Sequence, residues 1–261
     1  TKDTPFYYHK ENDFYWNVMV FIDDSVTHEI VKDKEIAYEG GKILGKFLNG
    51  TSDFDSNQLI DVIPNFHDMS FRFNQYASSL QSASKERLKK AEKYTKIVRD
   101  LKDEMHILQT LKESGKIPVR VTHNDTKISN SLFTMDEKGI CMIDTDTVMP
   151  GIIHYDFGNA IRTICNSVAE DEKDISKVEF NLEYYKAYKK GFLEETANSL
   201  SETELEYLPL AAKTMIFIMA LRFLTDYLNN DMYYKTTYPD HNLDRAKNQF
   251  KLIKSFSEKM S

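Results

Sequence analysis

The chain has 261 residues, of which 41% are hydrophobic, and its formal net charge is −7. This length accommodates one large domain or two small ones, with an ample core. Because 34 basic residues are scattered among 41 acidic ones, the composition argues against nucleic acid or an anionic membrane as the main partner.

Cysteine use and apolar runs bear on the cellular compartment. The only two cysteines, Cys141 and Cys165, lie in apolar settings without metal-ligand spacing, so we expect buried thiols in a reducing compartment. No run approaches about 18 consecutive apolar residues, so no membrane span is predicted. The first ten residues, TKDTPFYYHK, lack the charged and then apolar pattern of a signal peptide. These features together predict a cytoplasmic protein.

The first predicted element is a strand. Residues 14–22 (FYWNVMVFI) combine aromatic and β-branched side chains and are followed by two aspartates. This composition predicts a buried β-strand. Because a strand is not stable alone, it needs a partner, and the two candidates are residues 6–8 and residues upstream of position 1.

Two helical segments follow. Residues 33–47 carry apolar side chains at helical spacing, with small residues that allow close packing. Residues 84–114 form a longer amphipathic segment, which Gly115 is expected to end. Between them, residues 51–74 are polar and then aromatic, and residues 63–67 are predicted to form an ordered loop, in which His67 is expected to be a surface or loop histidine.

The centre of the chain alternates strands and polar residues. The predicted strands are residues 119–121, 131–134 and 140–143, and a turn joins the last two. After Pro150 and Gly151 the pattern is helical to the end, with a capping box at residues 201–204. The predicted architecture is therefore α+β, with a little sheet at the front, a central hairpin pair and a mostly helical remainder.

Three polar side chains next to these strands suit phosphate and metal chemistry. They are Asp125, Asn130 and Asp144. Phosphoryl transfer needs an aligned nucleophile, one or two Mg²⁺ ions and neutralisation of charge on the transferred group. Asp125 can accept the proton of an acceptor hydroxyl, and the oxygens of Asn130 and Asp144 are ligands that Mg²⁺ prefers. A plain turn role for all three is the alternative, since Asp and Asn favour turns.

The same residues carry a family resemblance. The pattern His123-Asn-Asp-x-x-x-x-Asn130, followed by Ile143-Asp144, resembles the signature of the aminoglycoside phosphotransferase and choline kinase family, distant relatives of protein kinases. Nearly all of the chain is similar to the N-acetylhexosamine 1-kinase subgroup, through the stretches THNDTKISN, IDTDTVMPG, YDFGNAIR, ALRFLTDYL and HNLDRAKNQFKL. The resemblance implies a protein-kinase-like fold, the cofactors ATP and Mg²⁺, and phosphorylation of the anomeric hydroxyl of GlcNAc or GalNAc.

The resemblance also implies roles for individual residues. Asp125 would be the catalytic base, His123 a catalytic residue that braces its loop, and Asn130 and Asp144 the metal ligands. The residues implied to bind the nucleotide cofactor are Phe21, Ile22, Lys127, Asn130 and Ile143. The residues implied to bind the acceptor substrate are Asp125, Asn124, Asp146, Arg222 and Tyr233.

The front end departs from that family. No Gly-rich loop precedes Phe14, and no lysine is identifiable that would pair the ATP phosphates. The chain therefore resembles a kinase without most of its N-terminal lobe. Residues 1–22 are expected to be a remnant of the ATP-covering lobe, and residues 23–261 the helical catalytic and substrate-binding lobe. Activity of such a fragment on its own is doubtful.

Several nearby side chains have more than one interpretation. Asp146 either orients a metal ligand or stabilises its own loop. Asp156 is expected to cap the following helix, and Arg162 to pair with a carboxylate such as Asp156. Arg222 and Asp226 lie four residues apart on a predicted helix, so they can form an ion pair with each other. The alternative is that Arg222 donates a hydrogen bond to a sugar hydroxyl.

The leading hypothesis is thus a sugar 1-kinase whose partners are a small sugar and a nucleotide, as a monomer or weak homodimer. A kinase of the same family for another small alcohol is the runner-up, although Arg222 disfavours a choline-like or aminoglycoside-like cation. A formylglycine-type sulfatase lacks its nucleophile, since Cys141 is followed by Met-Ile-Asp. A catalytically inactive fragment is the remaining alternative.

Overall fold

The computed structural model describes residues 9–12, 14–16 and 19–260. Helices dominate this part of the chain, and the strands are short. The helices are α1 Lys34–Gly50, α2 Met69–Ser82, α3 Lys85–Met105, α4 Ile107–Glu113, α5 Ile153–Ile164, α6 Leu182–Thr196, α7 Glu202–Glu206, α8 Leu208–Leu228 and α9 His241–Met260. The strands are β1 His9–Glu11, β2 Phe14–Trp16, β3 Ser25–Val26, β4 Arg120–Thr122, β5 Ser131–Thr134, β6 Gly139–Met142 and β7 Met149–Gly151.

The strands form three small antiparallel sheets. β1 pairs with β2, β5 lies between β3 and β6, and β4 pairs with β7. In the β4–β7 pair Val121 lies opposite Pro150, and in the β5–β6 hairpin Ser131 lies opposite Met142. β3 and β7 were not predicted, because two or three residues are too few for an alternating pattern. The loops between β4 and β5 and between β6 and β7 therefore emerge side by side.

The predicted front strand is shorter and more exposed than expected. Among its described residues only Phe14–Trp16 is a strand, and it pairs with β1. Residues 6–8, one of the predicted partners, lie outside the described residues. Phe14 and Trp16 are 67% and 59% exposed, and residues 19–22 have no regular structure. Aromatic and β-branched composition predicts a strand, but burial requires a second layer, and the described part of the chain places none over this pair.

The helical predictions are largely confirmed, with one omission. α1 begins where predicted, with the Asp33 side chain accepting a hydrogen bond from the backbone of Ile36. The segment 84–114 is two helices, α3 and α4, separated at His106. The predicted loop of residues 63–67 is confirmed, and the omission is α2, which begins just after it at Met69 with Asp68 as its N-cap.

The core is built around α8, which packs against α2, α3, α5 and α9. By length and composition this helix could cross a membrane, which the sequence analysis did not anticipate. In the fold, 67% of its most apolar window is buried. Its apolar composition is thus accounted for by its central position. Cys165 is buried as predicted, whereas Cys141 on β6 is only half-buried.

α1 and α6 approach each other closely, at glycines on both helices. A Cβ at Gly41 would overlap the backbone carbonyl oxygen of Tyr188, and one at Gly191 would overlap that of Tyr38. The two helices can therefore pack backbone to backbone only because these positions lack side chains. This contact fixes α1 beside the β5–β6 hairpin, where Glu39 accepts a hydrogen bond from the backbone N–H of Gly139 at 3.0 Å.

Gly191→Ala is expected to destabilise the protein by about 1–3 kcal/mol, because the added methyl group must push α6 away from α1. Urea unfolding followed by circular dichroism measures the change. Gly50→Ala, at the end of α1, is the matched control: a Cβ there meets nothing within 4 Å. The control should be neutral or slightly stabilising. Equal losses in both variants would contradict close helix packing as the cause.

Candidate active site

The loop that follows β4 is held by a buried carboxylate. Asp156 is fully buried on α5 and accepts hydrogen bonds from the backbone N–H groups of His123 at 2.7 Å and Asn124 at 2.6 Å. The hydroxyl of Thr126 donates to the backbone oxygen of Asp156 at 2.6 Å. Burial raises the pKa of Asp156 to about 7, although the two N–H groups act in the opposite direction. The loop is thus fixed in position by the helix beneath it.

The predicted N-cap role of Asp156 is wrong. α5 begins at Ile153, and Asp156 lies within its first turn with its side chain directed to the loop. Arg162 pairs with a carboxylate, as predicted, but the partner is not Asp156. Arg162 instead forms an ion pair with Glu170 at 3.0 Å. A carboxylate near the start of a helix can accept hydrogen bonds from the N–H groups of that helix or from those of another segment. The sequence alone does not distinguish these two roles for Asp156.

His123 braces this loop from inside the protein. Its side chain is fully buried, and its Nε2 donates to the backbone carbonyl of Ile143 at 2.9 Å. Its Nδ1 accepts a hydrogen bond from the backbone N–H of Asp125 at 3.3 Å. Burial lowers the pKa of His123, which favours the neutral ring that this pair of contacts requires. These contacts are those of a positioning residue that braces its loop, and the ring has no access to solvent.

Asp125 is the accessible carboxylate of the loop. Its Oδ2 accepts a hydrogen bond from the side-chain amide of Asn130 at 2.8 Å and lies 3.0 Å from Nζ of Lys127. The Asp125 side chain is 33% exposed. The structure therefore brings together three predicted site residues: a half-exposed carboxylate, a cation and an amide.

Asn130 also connects the loop to the predicted metal position. The amide nitrogen of Asn130 donates to Asp125, so the amide oxygen is left for another partner. The backbone oxygen of Asn130 accepts a hydrogen bond from the N–H of Ile143 at 2.9 Å. The next residue, Asp144, has φ 62° and is exposed, with no hydrogen bond or ion pair to another described residue. An amide oxygen and a carboxylate with free oxygens, on adjacent strand ends, fit a hard cation such as Mg²⁺, which keeps several waters and substrate oxygens.

The other predicted residues of this region divide into two groups. Asn124 is 4% exposed, and its side-chain amide donates to the Thr122 backbone and hydroxyl and to the Thr147 backbone, so its amide nitrogen is engaged inside the protein and its substrate contact remains a prediction. Asp146 is exposed beside Asp144, where it can reach a ligand. The Ile143 backbone accepts a hydrogen bond from His123 and donates one to Asn130, and the nucleotide role of Ile143 remains a prediction. Phe21 and Ile22 are 82% and 36% exposed, and their nucleotide role remains a prediction.

Arg222 lines a cavity of about 170 Å³ between α2 and α8. Its guanidinium lies 5.3 Å from the ring centre of Phe66 and 5.8 Å and 5.6 Å from those of Tyr233 and Tyr234. The alternative that it pairs with Asp226 is wrong. Asp226 is 5% exposed, and its oxygens accept hydrogen bonds from the backbone N–H groups of both tyrosines and from the Asn242 side chain. The residues lining the cavity are Arg72, Gln75, Arg222, Thr225, Asp226, Asn229, Tyr233 and Tyr234.

His67 lies close to both this cavity and the loop that follows β4. It lies in a loop, as one of the two predicted alternatives had it, but at 8% exposure it is not a surface residue. Burial and the positive charges of Arg222 and Arg72 lower its pKa to about 3, while the backbone of Asn124 acts in the opposite direction. The buried His67 ring therefore lies close to the arginines of the cavity and to Asn124 of the loop. The cavity lined by Arg222 is therefore next to the loop that carries Asp125.

Sequence reasoning missed Arg72, a second cation at the cavity. Its guanidinium donates to the backbone carbonyl of Phe66 at 2.6 Å and 3.2 Å and to the side chain of Gln75 at 2.9 Å. The signal that could have found it is Asp68, whose N-cap position implies a helix starting at residue 69 and so places Arg72 one turn further on.

Comparisons with known proteins bear on the family and the fold of this chain. The sequence model described as the phosphotransferase enzyme family matches residues 5–192. An ethanolamine kinase of Drosophila melanogaster is 25% identical over 128 residues, which is 47% of this chain and 25% of that protein's length. A crystal structure of choline kinase from Cryptosporidium parvum superposes with a TM-score of 0.52 and 16% identity, covering 92% of this chain and 71% of that one. This likeness confirms the predicted protein-kinase-like α+β fold.

Proposed function

Because this chain belongs to the phosphotransferase enzyme family, we propose that it is a small-molecule kinase, which transfers the γ-phosphate of ATP to a sugar hydroxyl. The observation that carries the proposal is the meeting of Asp125, Asn130 and Asp144 at two adjacent strand ends. Asp125 accepts a hydrogen bond from Asn130, and Asn130 is joined through its backbone to the residue before Asp144. The half-exposed Asp125 carboxylate accepts the proton of the acceptor hydroxyl as that oxygen attacks phosphorus.

Two further groups serve the nucleotide side of the reaction. Asn130 and Asp144 would hold Mg²⁺ through oxygen atoms, and a bound cation there neutralises charge on the phosphate oxygens. Lys127 carries its ammonium group 3.0 Å from the Asp125 carboxylate, so it can offset negative charge as the phosphoryl group passes. His123 and Asp156 keep Asp125 in place from below.

The acceptor is proposed to be an N-acetylhexosamine, phosphorylated on its anomeric hydroxyl. The cavity next to the loop offers the guanidinium N–H groups of Arg222 to oxygen atoms and the exposed ring of Tyr233 to a sugar face. Both features suit a neutral polar ring with an amide oxygen. A cationic acceptor such as ethanolamine is the second candidate, supported by the similarity to an ethanolamine kinase. The positive charge of Arg222 disfavours it.

Release of ADP by the full-length protein, with ATP and Mg²⁺, tests these alternatives. The acceptors are GlcNAc, GalNAc, choline, ethanolamine and an aminoglycoside, each at several concentrations. We expect turnover with an N-acetylhexosamine, and a phosphorus NMR signal coupled to the anomeric proton. Turnover with ethanolamine or choline alone would support the second candidate, and no turnover with any alcohol would overturn both.

A further inference from the structure

Two loops of the candidate active site are joined by a side-chain hydrogen bond. The first loop follows β4 and carries Asp125, and the second, between β6 and β7, carries Asp144 and Asp146. In the second loop, the hydroxyl of Thr147 donates to the backbone carbonyl of His123 in the first loop at 2.7 Å. This hydrogen bond therefore ties together the segments that hold the predicted base and the predicted metal ligand.

A second hydrogen bond joins the same loops in the opposite direction. The side-chain amide of Asn124 donates to the backbone carbonyl of Thr147 and to the hydroxyl of Thr122, both at 3.0 Å. The Thr122 hydroxyl in turn donates to the backbone carbonyl of Met149 at 2.9 Å, where β4 pairs with β7. Thr122 is fully buried and Asn124 is 4% exposed. We call Asn124 and Thr147 the loop clamp, and it is continuous with the β4–β7 pair.

The loop clamp holds the chain on one side of Asp144, and Ile143 holds it on the other. The N–H of Ile143 donates to the backbone oxygen of Asn130 at 2.9 Å, and its carbonyl accepts from Nε2 of His123 at 2.9 Å. Asp144 itself is exposed, with φ 62° and no hydrogen bond to another described residue. Its carboxylate is therefore placed by the two flanking anchors, Ile143 and Thr147, and not by contacts of its own.

A cation between Asn130 and Asp144 needs the oxygens of both residues at fixed positions, because Mg²⁺ demands nearly ideal octahedral geometry. Groups that orient metal ligands without touching the metal typically contribute about 10- to 100-fold to its affinity. We propose that Thr147, acting with Asn124, is a positioning residue that sets the affinity for the nucleotide-bound cation. This inference rests on the proposed function, from which it takes Asn130 and Asp144 as the ligands.

Thr147→Val tests the proposal, because it removes the hydroxyl and keeps the shape of the side chain. ADP is titrated calorimetrically into the full-length protein, once with excess Mn²⁺ and once with EDTA. Mn²⁺ stands for Mg²⁺ because it takes the same oxygen ligands. We expect the Kd for ADP with Mn²⁺ to rise about tenfold in Thr147→Val, while the Kd with EDTA stays within about twofold. Thr147→Ser keeps the hydroxyl and should restore the affinity measured with Mn²⁺.

Thr95→Val is the matched control. The Thr95 hydroxyl also donates to a backbone carbonyl, that of Glu92 at 2.8 Å, but this contact lies within α3. Both Kd values should therefore equal those of the unmodified protein. Thr147→Ala lacks the methyl group that valine places against the His123 carbonyl. It should behave as Thr147→Val does, and it takes the place of that variant if valine prevents folding.

Two results would overturn the positioning role while the kinase assignment stands. One is an unchanged Kd with Mn²⁺ in Thr147→Val, and the other is an equal loss of affinity with Mn²⁺ and with EDTA. If Mn²⁺ does not strengthen ADP binding to the unmodified protein, the metal positions of Asn130 and Asp144 are wrong, and the positioning role is overturned with them. Failure of the proposed function is seen separately, as the absence of ADP release with every alcohol.

Discussion

Asp125→Asn is expected to lower kcat by about 10²- to 10⁴-fold, the usual contribution of a general base. The amide has nearly the shape of the carboxylate but cannot take the proton of the acceptor hydroxyl. The loop should keep its conformation, because Asn130 also donates to the backbone carbonyl of Asp125 at 2.9 Å. Loss of the half-exposed ion pair with Lys127 should cost little stability. ADP release under saturating ATP and acceptor measures kcat.

Asp136→Asn provides the control, because Asp136 is an exposed carboxylate in the β5–β6 turn that accepts a hydrogen bond from Thr134 at 2.6 Å. Its kcat should equal that of the unmodified protein. The thermal midpoint of Asp125→Asn should stay within about 2 °C, and its KM for ATP within about twofold. Full turnover in Asp125→Asn would remove Asp125 from the reaction and leave the family assignment intact.

The part of the site that could be predicted from sequence is the part that is local in the chain. Asp125 and Asn130 are five residues apart, and Asp144 ends the next hairpin, so two short strands suffice to bring all three together. The phosphate and metal chemistry of these residue types follows from their oxygen atoms alone. This is why their spacing predicts, without knowledge of the fold, that the three residues lie together.

The part that could not be predicted depends on contacts between distant segments. Arg72 and Arg222 are 150 positions apart and meet only because α2 packs on α8. The burial pattern of α2 is weak, with only Met69, Tyr76 and Ser79 buried, so no apolar stripe marked the helix in the sequence. The prediction of a buried front strand was wrong for a different reason. The apolar residues of the strand can be read from the sequence, but the presence of a second layer to bury them cannot.

Asp156→Ala is expected to lower the free energy of unfolding by about 2–5 kcal/mol. The substitution removes both acceptors of two buried N–H groups, those of His123 and Asn124, and each buried donor left without a partner costs about 1–3 kcal/mol. No water can easily replace the carboxylate, because Asp156 is fully buried. Urea unfolding at pH 7.5 measures the loss.

The same variant should lose activity at a temperature where it is still folded. His123 and Asn124 immediately precede Asp125, so their freed backbone lets the Asp125 carboxylate move relative to Asn130. A displacement of about 1 Å at a reacting group can cost roughly 10²-fold in rate. We therefore expect kcat to fall about 10²-fold at 15 °C with circular dichroism unchanged.

Asp55→Ala is the control for Asp156→Ala, because it also removes a carboxylate that accepts a backbone N–H. Asp55 accepts the N–H of Asn57 at 3.0 Å, but on the exposed surface, where water replaces it. Asp55→Ala should lower the free energy of unfolding by less than about 1 kcal/mol and leave kcat unchanged. The loss of unfolding free energy in Asp156→Asn should lie between those of Asp156→Ala and Asp55→Ala. One oxygen of the amide still accepts a hydrogen bond, while its nitrogen faces an N–H group. If Asp156→Ala is as mild as Asp55→Ala, then the loop is held by the His123 ring and the Thr126 hydroxyl, whose contacts do not need the Asp156 side chain.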